Sequence, residues 1–467
     1  MYKIFLTLLS SFILIEAGAQ KFIYSMGIPE TPDTSLNKMK QKTTLITANY
    51  KSLGGSASLK KYCPTPGDQS RYSTCAAWST AYAARTIIEA EKKGWTNTSQ
   101  IMMNTFSPMF IYKVNNPYDA NCSQGAHPAD LLELMQENGV PLFSDFSANC
   151  LSPTERDFVK AKPNRINAMQ KIFYHTPYQG TMVSTTDVLK IKKSLSEGNP
   201  VVISFVCPPS FQYAREVWQP HESPLIVNNN QHGRHAVCVV GFDDDLHGGA
   251  FEIMNSWGTK WGNGGFTWVP YETFRKFTYA AVELEKFEKP QTLSKLSGSV
   301  KVLDVNNNAM TATKQNAWHY KLDQPYTSGT RFKLFVNNNE PTNMFVIGAD
   351  SKGNYATLFP YTKAISSSLS YPNSTVAIPS EHTHIKMDNN KGRDYLLVIY
   401  TKNAGYDIDK VIGQLKYAGG TFPQKVSTVL QSSMRNNQIN FDPKKISFTS
   451  TQADKGDVVL LIEIEHI

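Results

Sequence analysis

The chain has 467 residues, 41% of them hydrophobic and 18% charged, with a net charge of +8. That length exceeds one ordinary core and points to two or three domains, and the composition is that of a soluble globular chain able to fill them. The mild positive charge comes with no arginine-rich patch, zinc-finger spacing or aromatic-studded basic strand, which excludes a nucleic-acid partner.

At the N-terminus, Lys3, an apolar stretch from Ile4 to Ile15 and the small residues Ala17, Gly18 and Ala19 form the pattern of a secretory signal peptide cut after Ala19. No segment reaches the ~18 to 20 apolar residues needed to span a bilayer. No cysteine follows the apolar stretch to take a lipid. The mature protein is therefore expected to be exported, to a periplasm or out of the cell, and soluble. Disulfides persist there, so pairs are expected among Cys63, Cys75, Cys122, Cys150, Cys207 and Cys238. One free catalytic thiol would force at least one more unpaired cysteine.

Residues from Gln20 to about Leu59 are polar without a strong period and read as an extended arm. From Cys75, the residues Ala76, Trp78, Ser79, Tyr82, Ala83, Thr86 and Ile87 recur at helical spacing and predict a helix to about Lys92, stopped by Gly94. Further helices are predicted over Pro128–Asn138, closed by Gly139, and over Thr186–Glu197. Pro200–Val206, His235–Phe242 and Ala250–Asn255 are short runs rich in Val, Ile and Phe and read as strands. A helical half followed by a stranded half implies two lobes with a cleft between them, where sites are usually built.

Lys289, Pro290 and Gln291 mark a linker. Strands are then predicted at Phe332–Val336, Met344–Asp350, Ala356–Phe359, Thr375–Ile378, Tyr395–Thr401 and Val458–Ile464, with one helix over Gln424–Met434. Asn-rich turns are expected at Asn306–Asn308 and Asn337–Asn339. This half reads as a β-sandwich-like module.

Three stretches of the first half carry chemistry. DQSRYSTCAAWS sets Cys75 at a helix start, where the helix dipole helps to form a thiolate. The competing reading is a buried, inert cysteine. HGRHAVCVVGFDD places His235 at the head of an apolar strand, and an imidazolium is the second device that activates a thiol. FEIMNSWGTKWGNGGF puts Asn255 at a strand end, where its amide oxygen can hold the imidazole while Trp257 shields that bond from water. The oxyanion formed on attack needs donors, and the candidates are the Cys75 backbone N–H and the Gln69 side chain.

The other polar residues read as structural. His232 lacks an apolar strand and belongs to the approach loop. Asp243, Asp244 and Asp245 read as a solvated turn rather than a calcium loop. His127 either lines the cleft or is an exposed helix-entry residue. The sequons at Asn97, Asn121 and Asn373 matter only in a glycosylating host.

These stretches, in the order Gln, Cys, His, Asn, resemble the active-site signatures of the papain family of cysteine peptidases, over roughly Cys63 to Glu285. The resemblance implies Gln69 in the oxyanion hole, Cys75 as nucleophile, His235 as base and acid, Asn255 as orienter and Trp257 as shield. It also implies a Cys122–Cys150 disulfide and a substrate-pairing residue that is Gly125 counted from Cys122, the favoured counting, or Ala126 counted back from Pro128. No cofactor and no metal are expected. The family has Trp directly after the nucleophile, whereas here Ala76 and Ala77 intervene before Trp78. Ser70, Tyr72 and Ser73 replace the usual glycines and cysteine of that loop. The stretch before Cys63 is shorter than the helical inhibitory propeptide usual in the family, so none is expected.

NNNEPTNMFVIGADSKGNYATLFPY, NSTVAIPSE and GRDYLLVIYTK resemble DUF4384, over roughly Tyr326–Asp407. This implies a β-rich packing or binding unit, for a cell-envelope component or another protein. The fold class is then α+β: a papain-like two-lobed catalytic domain, with a helical lobe and a β-barrel-like lobe, followed by a β-sandwich-like domain. The divisions are 1–19, 20–60, 61–287, 288–325 and 326–467. The expected function is hydrolysis of polypeptide substrates through an acyl-enzyme. The alternatives are a thiol amidase or transferase acting on envelope peptides, and an inactive papain-fold binding or adhesion protein.

Overall fold

The computed structural model describes residues 24–147, 149–225, 232–285, 295–435, 439–451, 453 and 456–467. The expected signal peptide and the linker at Lys289–Gln291 lie outside the described residues. Strands β1 (Ser56–Ser58), β2 (Ala168–Tyr174), β3 (Val201–Cys207), β4 (Gly233–Asp243), β5 (Ala250–Met254), β6 (Phe266–Pro270) and β7 (Thr278–Glu285) form one antiparallel sheet. Its order is β2-β7-β3-β4-β5-β6, with β1 added against β4. The described pairings form a row and do not close it into a ring. Nearly every residue of β3 and β4 is buried, which explains why both read as continuous apolar runs rather than alternating ones.

The helices of the first half pack beside this sheet. Residues 75–93 form one continuous helical rod, from Cys75 to Lys93, ended by Gly94 in the left-handed conformation (φ 67°). Its middle, Trp78–Arg85, is wound in wide i→i+5 turns, which periodicity alone does not reveal. Ser79 and Thr80 hydroxyls donate back to the Ala76 carbonyl at 3.0 and 2.7 Å, the back-bonding that bends helices. The helices Pro128–Asn138 and Thr185–Ser196 fall where the apolar stripes put them.

The second half is a sandwich of two sheets. Its strands are β8 (Ser297–Asp304), β9 (Ala312–Lys314), β10 (His319–Leu322), β11 (Arg331–Asn338), β12 (Thr342–Ala349), β13 (Tyr355–Phe359), β14 (Ser368–Leu369), β15 (Ser374–Ile378), β16 (Ile385–Lys386), β17 (Gly392–Thr401), β18 (Ile439–Phe441), β19 (Ser447–Ser450) and β20 (Val458–His466). One sheet runs β13-β12-β17-β20-β10-β9 with β14 on β12, and the other β15-β11-β8-β19-β18 with β16 on β11. Along β17, Val398 and Tyr400 enter the core between the sheets, while Leu397 and Ile399 face outward. That outer face is covered by the helices Ile408–Tyr417 and Phe422–Leu430, through Leu415 and Val426. The first of these helices was not expected from the sequence. Asn337 and Asn338 belong to the end of β11 rather than to a turn, because Asn337 and Asn338 still pair with Ser299 and Gly298.

The residues before Cys63 are not a loose arm. They carry the short helices Thr34–Lys38 and Thr47–Lys51, and β1. Between them the chain is stitched into both halves: Lys42 N–H donates to Lys171 O (2.7 Å), Gln41 N–H to Ala364 O (2.7 Å) and Ile46 N–H to Thr375 O (2.9 Å). Leu45 and Tyr50 are buried in the sandwich core. The Lys42 ammonium is buried against Glu283 and the Tyr371 hydroxyl, so one cation, one carboxylate and one phenol tie three segments together. Ser194 and Asn199 also donate to Glu283, each at 2.7 Å. Tyr371→Phe removes one donor from this buried carboxylate. The expected loss is about 1–3 kcal/mol, read as a lower urea midpoint with an unchanged slope.

Candidate active site

The site forms where the loop before Cys75 meets the loop after β5. Gln69 N–H donates to Ser256 O (2.8 Å), Gly258 N–H donates to Gly67 O (2.9 Å), and Asp68 bridges Trp257. The Ser256 hydroxyl donates to Gln69 Oε1 at 2.6 Å, which fixes the amide so that its Nε2 donates to Tyr72 O at 2.8 Å. Thr74 is non-helical (φ −117°, ψ 18°), so the helix begins at Cys75. The thiol receives backbone N–H groups from Ala236, Ala76 and Cys75 itself.

His235 lies on β4, opposite Phe205 of β3. Its Nε2 is 2.8 Å from Asn255 Oδ1, and that same oxygen accepts the Ser256 N–H at 2.8 Å. An amide oxygen only accepts, so Nε2 carries the proton. Nδ1, buried and without a hydrogen-bond partner, is left with a free lone pair. Trp257 stacks on the imidazole with centroids 4.6 Å apart, covering the bond to Asn255. The structure thus brings Gln69, Cys75, His235, Asn255 and Trp257 to one place.

The cleft is filled by the chain's own residues 24–33. Tyr24 stacks on Trp257 at 4.6 Å with the rings 8° from parallel. The Ser25 carbonyl accepts from Gln69 Nε2 at 3.0 Å and from Trp257 Nε1 at 3.2 Å. Gly27 turns its N–H to the Cys75 thiol, and its carbonyl accepts the Ala126 N–H at 2.8 Å. A Cβ on Gly27 would lie 2.2 Å from the Ser73 carbonyl oxygen, so only glycine fits there. Gly125 (φ 77°) does not make the pairing bond; it leaves room, since a Cβ there would lie 2.5 Å from the Gly27 carbonyl. The favoured counting to Gly125 is therefore corrected: Ala126 is the residue that hydrogen-bonds the segment in the cleft.

His127 caps the helix Pro128–Asn138 and is buried against this segment, with Nε2 3.3 Å from Thr31 Oγ1 and Nδ1 3.7 Å from Asp33 Oδ2. It lines the cleft. Residues 24–33, which the sequence reads as part of an extended arm, occupy the cleft. Gly27 is the only clue in the sequence, and its meaning depends on Ser73.

Burial, to which residues 24–33 contribute, governs the titration of the pair. It pushes the Cys75 thiol up to about 11, against the backbone N–H groups that favour the thiolate. It pulls His235 down to about 4, against the Asn255 hydrogen bond. Both groups are neutral at pH 7 with the cleft filled.

Cys122 and Cys150 are joined in a disulfide (Cα–Cα 5.9 Å) beside the loop that carries Gly125. Cys63, Cys207 and Cys238 are buried free thiols, so Cys207 and Cys238 do not pair with each other. Asp243 caps its own turn through the Asp245 and Leu246 N–H groups, as a turn aspartate should, while Asp244 pairs with Lys192 at 2.6 Å. Among the described residues no group of three or more His, Cys, Asp or Glu could hold a metal, and no helix is long and apolar enough to cross a membrane.

The papain family cysteine protease description matches residues 59–282, and the domain of unknown function DUF4384 matches residues 325–404. An uncharacterized peptidase C1-like protein of Acanthamoeba polyphaga mimivirus is 27% identical over 277 residues, 54% of this chain and 82% of its own length. Cysteine proteinase 3 of Entamoeba histolytica is 25% identical over 151 residues, 31% of this chain and 43% of its own length. Among solved structures, xylellain, a cysteine protease from Xylella fastidiosa, is 19% identical with a TM-score of 0.43, covering 60% of this chain and 100% of its own. The bromelain protease of Ananas comosus is 16% identical with a TM-score of 0.38, covering 49% and 98%. The chain carries a papain-family cysteine protease domain followed by a DUF4384 domain.

Gly27→Val drives a branched side chain into the Ser73 carbonyl and should expel residues 24–33. Alkylation of Cys75 at pH 7 is expected to rise roughly tenfold or more as its pKa falls. The unsubstituted chain should label fully only as pH approaches about 11, where the buried thiol ionises. Mass-spectrometric labelling rates across pH check both.

Proposed function

We propose that this chain is an exported papain-like cysteine peptidase that hydrolyses peptide bonds through Cys75, His235 and Asn255, and that residues 24–33 hold it latent. The observation that carries the reading is the Asn255-oriented His235, capped by Trp257, next to a thiol at a helix start with Gln69 beside it. Export is supported by the signal-peptide pattern and by the Cys122–Cys150 disulfide, which persists in oxidising compartments.

Once residues 24–33 leave, water re-enters the cleft and the burial penalty on both groups falls. His235 Nδ1 then takes the Cys75 proton, and the thiolate attacks the substrate carbonyl carbon. The negative charge that develops on the carbonyl oxygen is met by Gln69 Nε2 and the Cys75 N–H, groups that the Ser25 carbonyl otherwise engages in part. His235 returns the proton to the departing amine, leaving a thioester. Water, deprotonated by His235, adds to the thioester and releases the acid and the thiol. Asn255 and Trp257 keep the imidazole in place throughout.

The test is covalent labelling of the Gly27→Val chain with an epoxysuccinyl thiol-protease inhibitor, with His235→Ala added as control. Selective modification of Cys75 that the control loses, together with cleavage of a peptide substrate, is expected. A Cys75 that stays silent in the folded Gly27→Val chain refutes the reading. In the same background Gln69→Ala should lower kcat by about 10²–10³-fold, the cost of one oxyanion donor, measured on a fluorogenic peptide.

A further inference from the structure

We propose that Arg234 selects an acidic side chain in the substrate, two residues from the one that meets the thiol and on the Ala126 side of the cleft. This rests on the peptidase reading above. Arg234 immediately precedes His235 on β4, and its backbone carbonyl accepts the Ile28 N–H at 3.4 Å. Its guanidinium reaches further along the same segment, where Nη1 donates to the Pro29 carbonyl at 3.0 Å. Gly27 lies at the thiol, so Pro29 marks the second residue from it, away from Trp257.

The guanidinium is held in place from behind. Its Nε donates to the Tyr178 hydroxyl at 3.2 Å, and the charge sits 5.0 Å above the Tyr178 ring. Tyr178 adopts φ 66°, a conformation costly for a bulky side chain and one that persists where surrounding contacts demand it. This is a positioned cation rather than a free surface arginine.

Among the described residues no carboxylate forms an ion pair with Arg234, and its cleft-side partner is a neutral carbonyl. A carboxylate fits the planar fork of a guanidinium in two parallel hydrogen bonds, shorter and stronger than one to a neutral oxygen. The segment in the cleft already offers an acid to this wall, since the Asp33 carboxylate faces His127, two residues beyond the point where Thr31 meets the same ring. When the segment leaves, Pro29, Thr31 and Asp33 leave together and the wall loses its acceptors. Asp130 remains near His127 and forms no ion pair with Arg234 among the described residues.

The experiment uses the full chain with Gly27→Val and a fluorogenic peptide library carrying Glu, Leu or Lys at one position at a time. The readout is the ratio of kcat/KM for Glu over Leu. That ratio should exceed one by about 10- to 100-fold at a single position, the worth of a charge-assisted hydrogen bond. Arg234→Gln should bring it near one, Arg234→Lys should keep part of it, and Arg234→Glu should turn the preference to Lys. Cleavage with no Glu preference, or an Arg234→Gln chain that loses rate on every peptide with the ratio unchanged, overturns the acidic subsite and leaves the peptidase reading standing. Failure to cleave any peptide while Cys75 still labels overturns both.

Discussion

The short hydrogen-bonded seam between Gln69 and Ser256 is the constraint on which the site depends. The thiol belongs to a helix, the imidazole and amide to a sheet, and no strand is shared between them. Two backbone bonds and the Ser256 hydroxyl on Gln69 Oε1 bring the two loops together. The same Ser256, through its N–H, turns the Asn255 amide so that its oxygen faces His235. One residue therefore sets both the direction of the Gln69 donor and the tautomer of the imidazole. Both are matters of orientation, and backbone bonds together with short side chains hold them.

The N-terminal segment links this site to the rest of the molecule. Residues 24–33 fill the cleft, and the residues that follow are stitched between β2 and the sandwich. The Lys42, Glu283 and Tyr371 group is a buried charge network, and in such networks the cost of desolvating the charges can offset their attraction. What such a network enforces is position. It ties the chain after the cleft segment to the first sheet and to the second domain at once. With the cleft filled, burial raises the Cys75 pKa and lowers that of His235, which favours the neutral form of each.

Much of this was legible from residue order. The helices behind Cys75 and over Pro128–Asn138 show their apolar stripes, and β3, β4 and β17 show apolar runs, because burial on a helix face or on both faces of a strand leaves a local period. Gln69, Cys75, His235, Asn255 and Trp257 could be named because their chemistry restricts the residue types that serve. The helix Ile408–Tyr417 was missed although its residues are amphipathic, since what requires it is the outward-facing row of Leu397 and Ile399 on a strand that reads as simply hydrophobic.

Local order along the chain thus determined most of the helices and strands of both halves and the candidate site residues. Only the tertiary structure decided that the polar N-terminal segment lies in the cleft, that Ala126 rather than Gly125 pairs with it, and that Arg234 points along it. Those outcomes rest on contacts between residues far apart in the chain: Gly27 against Ser73, Ala126 against Gly27, Arg234 against Pro29 and Tyr178. Such contacts leave no periodicity, because a single glycine or arginine is compatible with many surroundings until the fold supplies the one it meets.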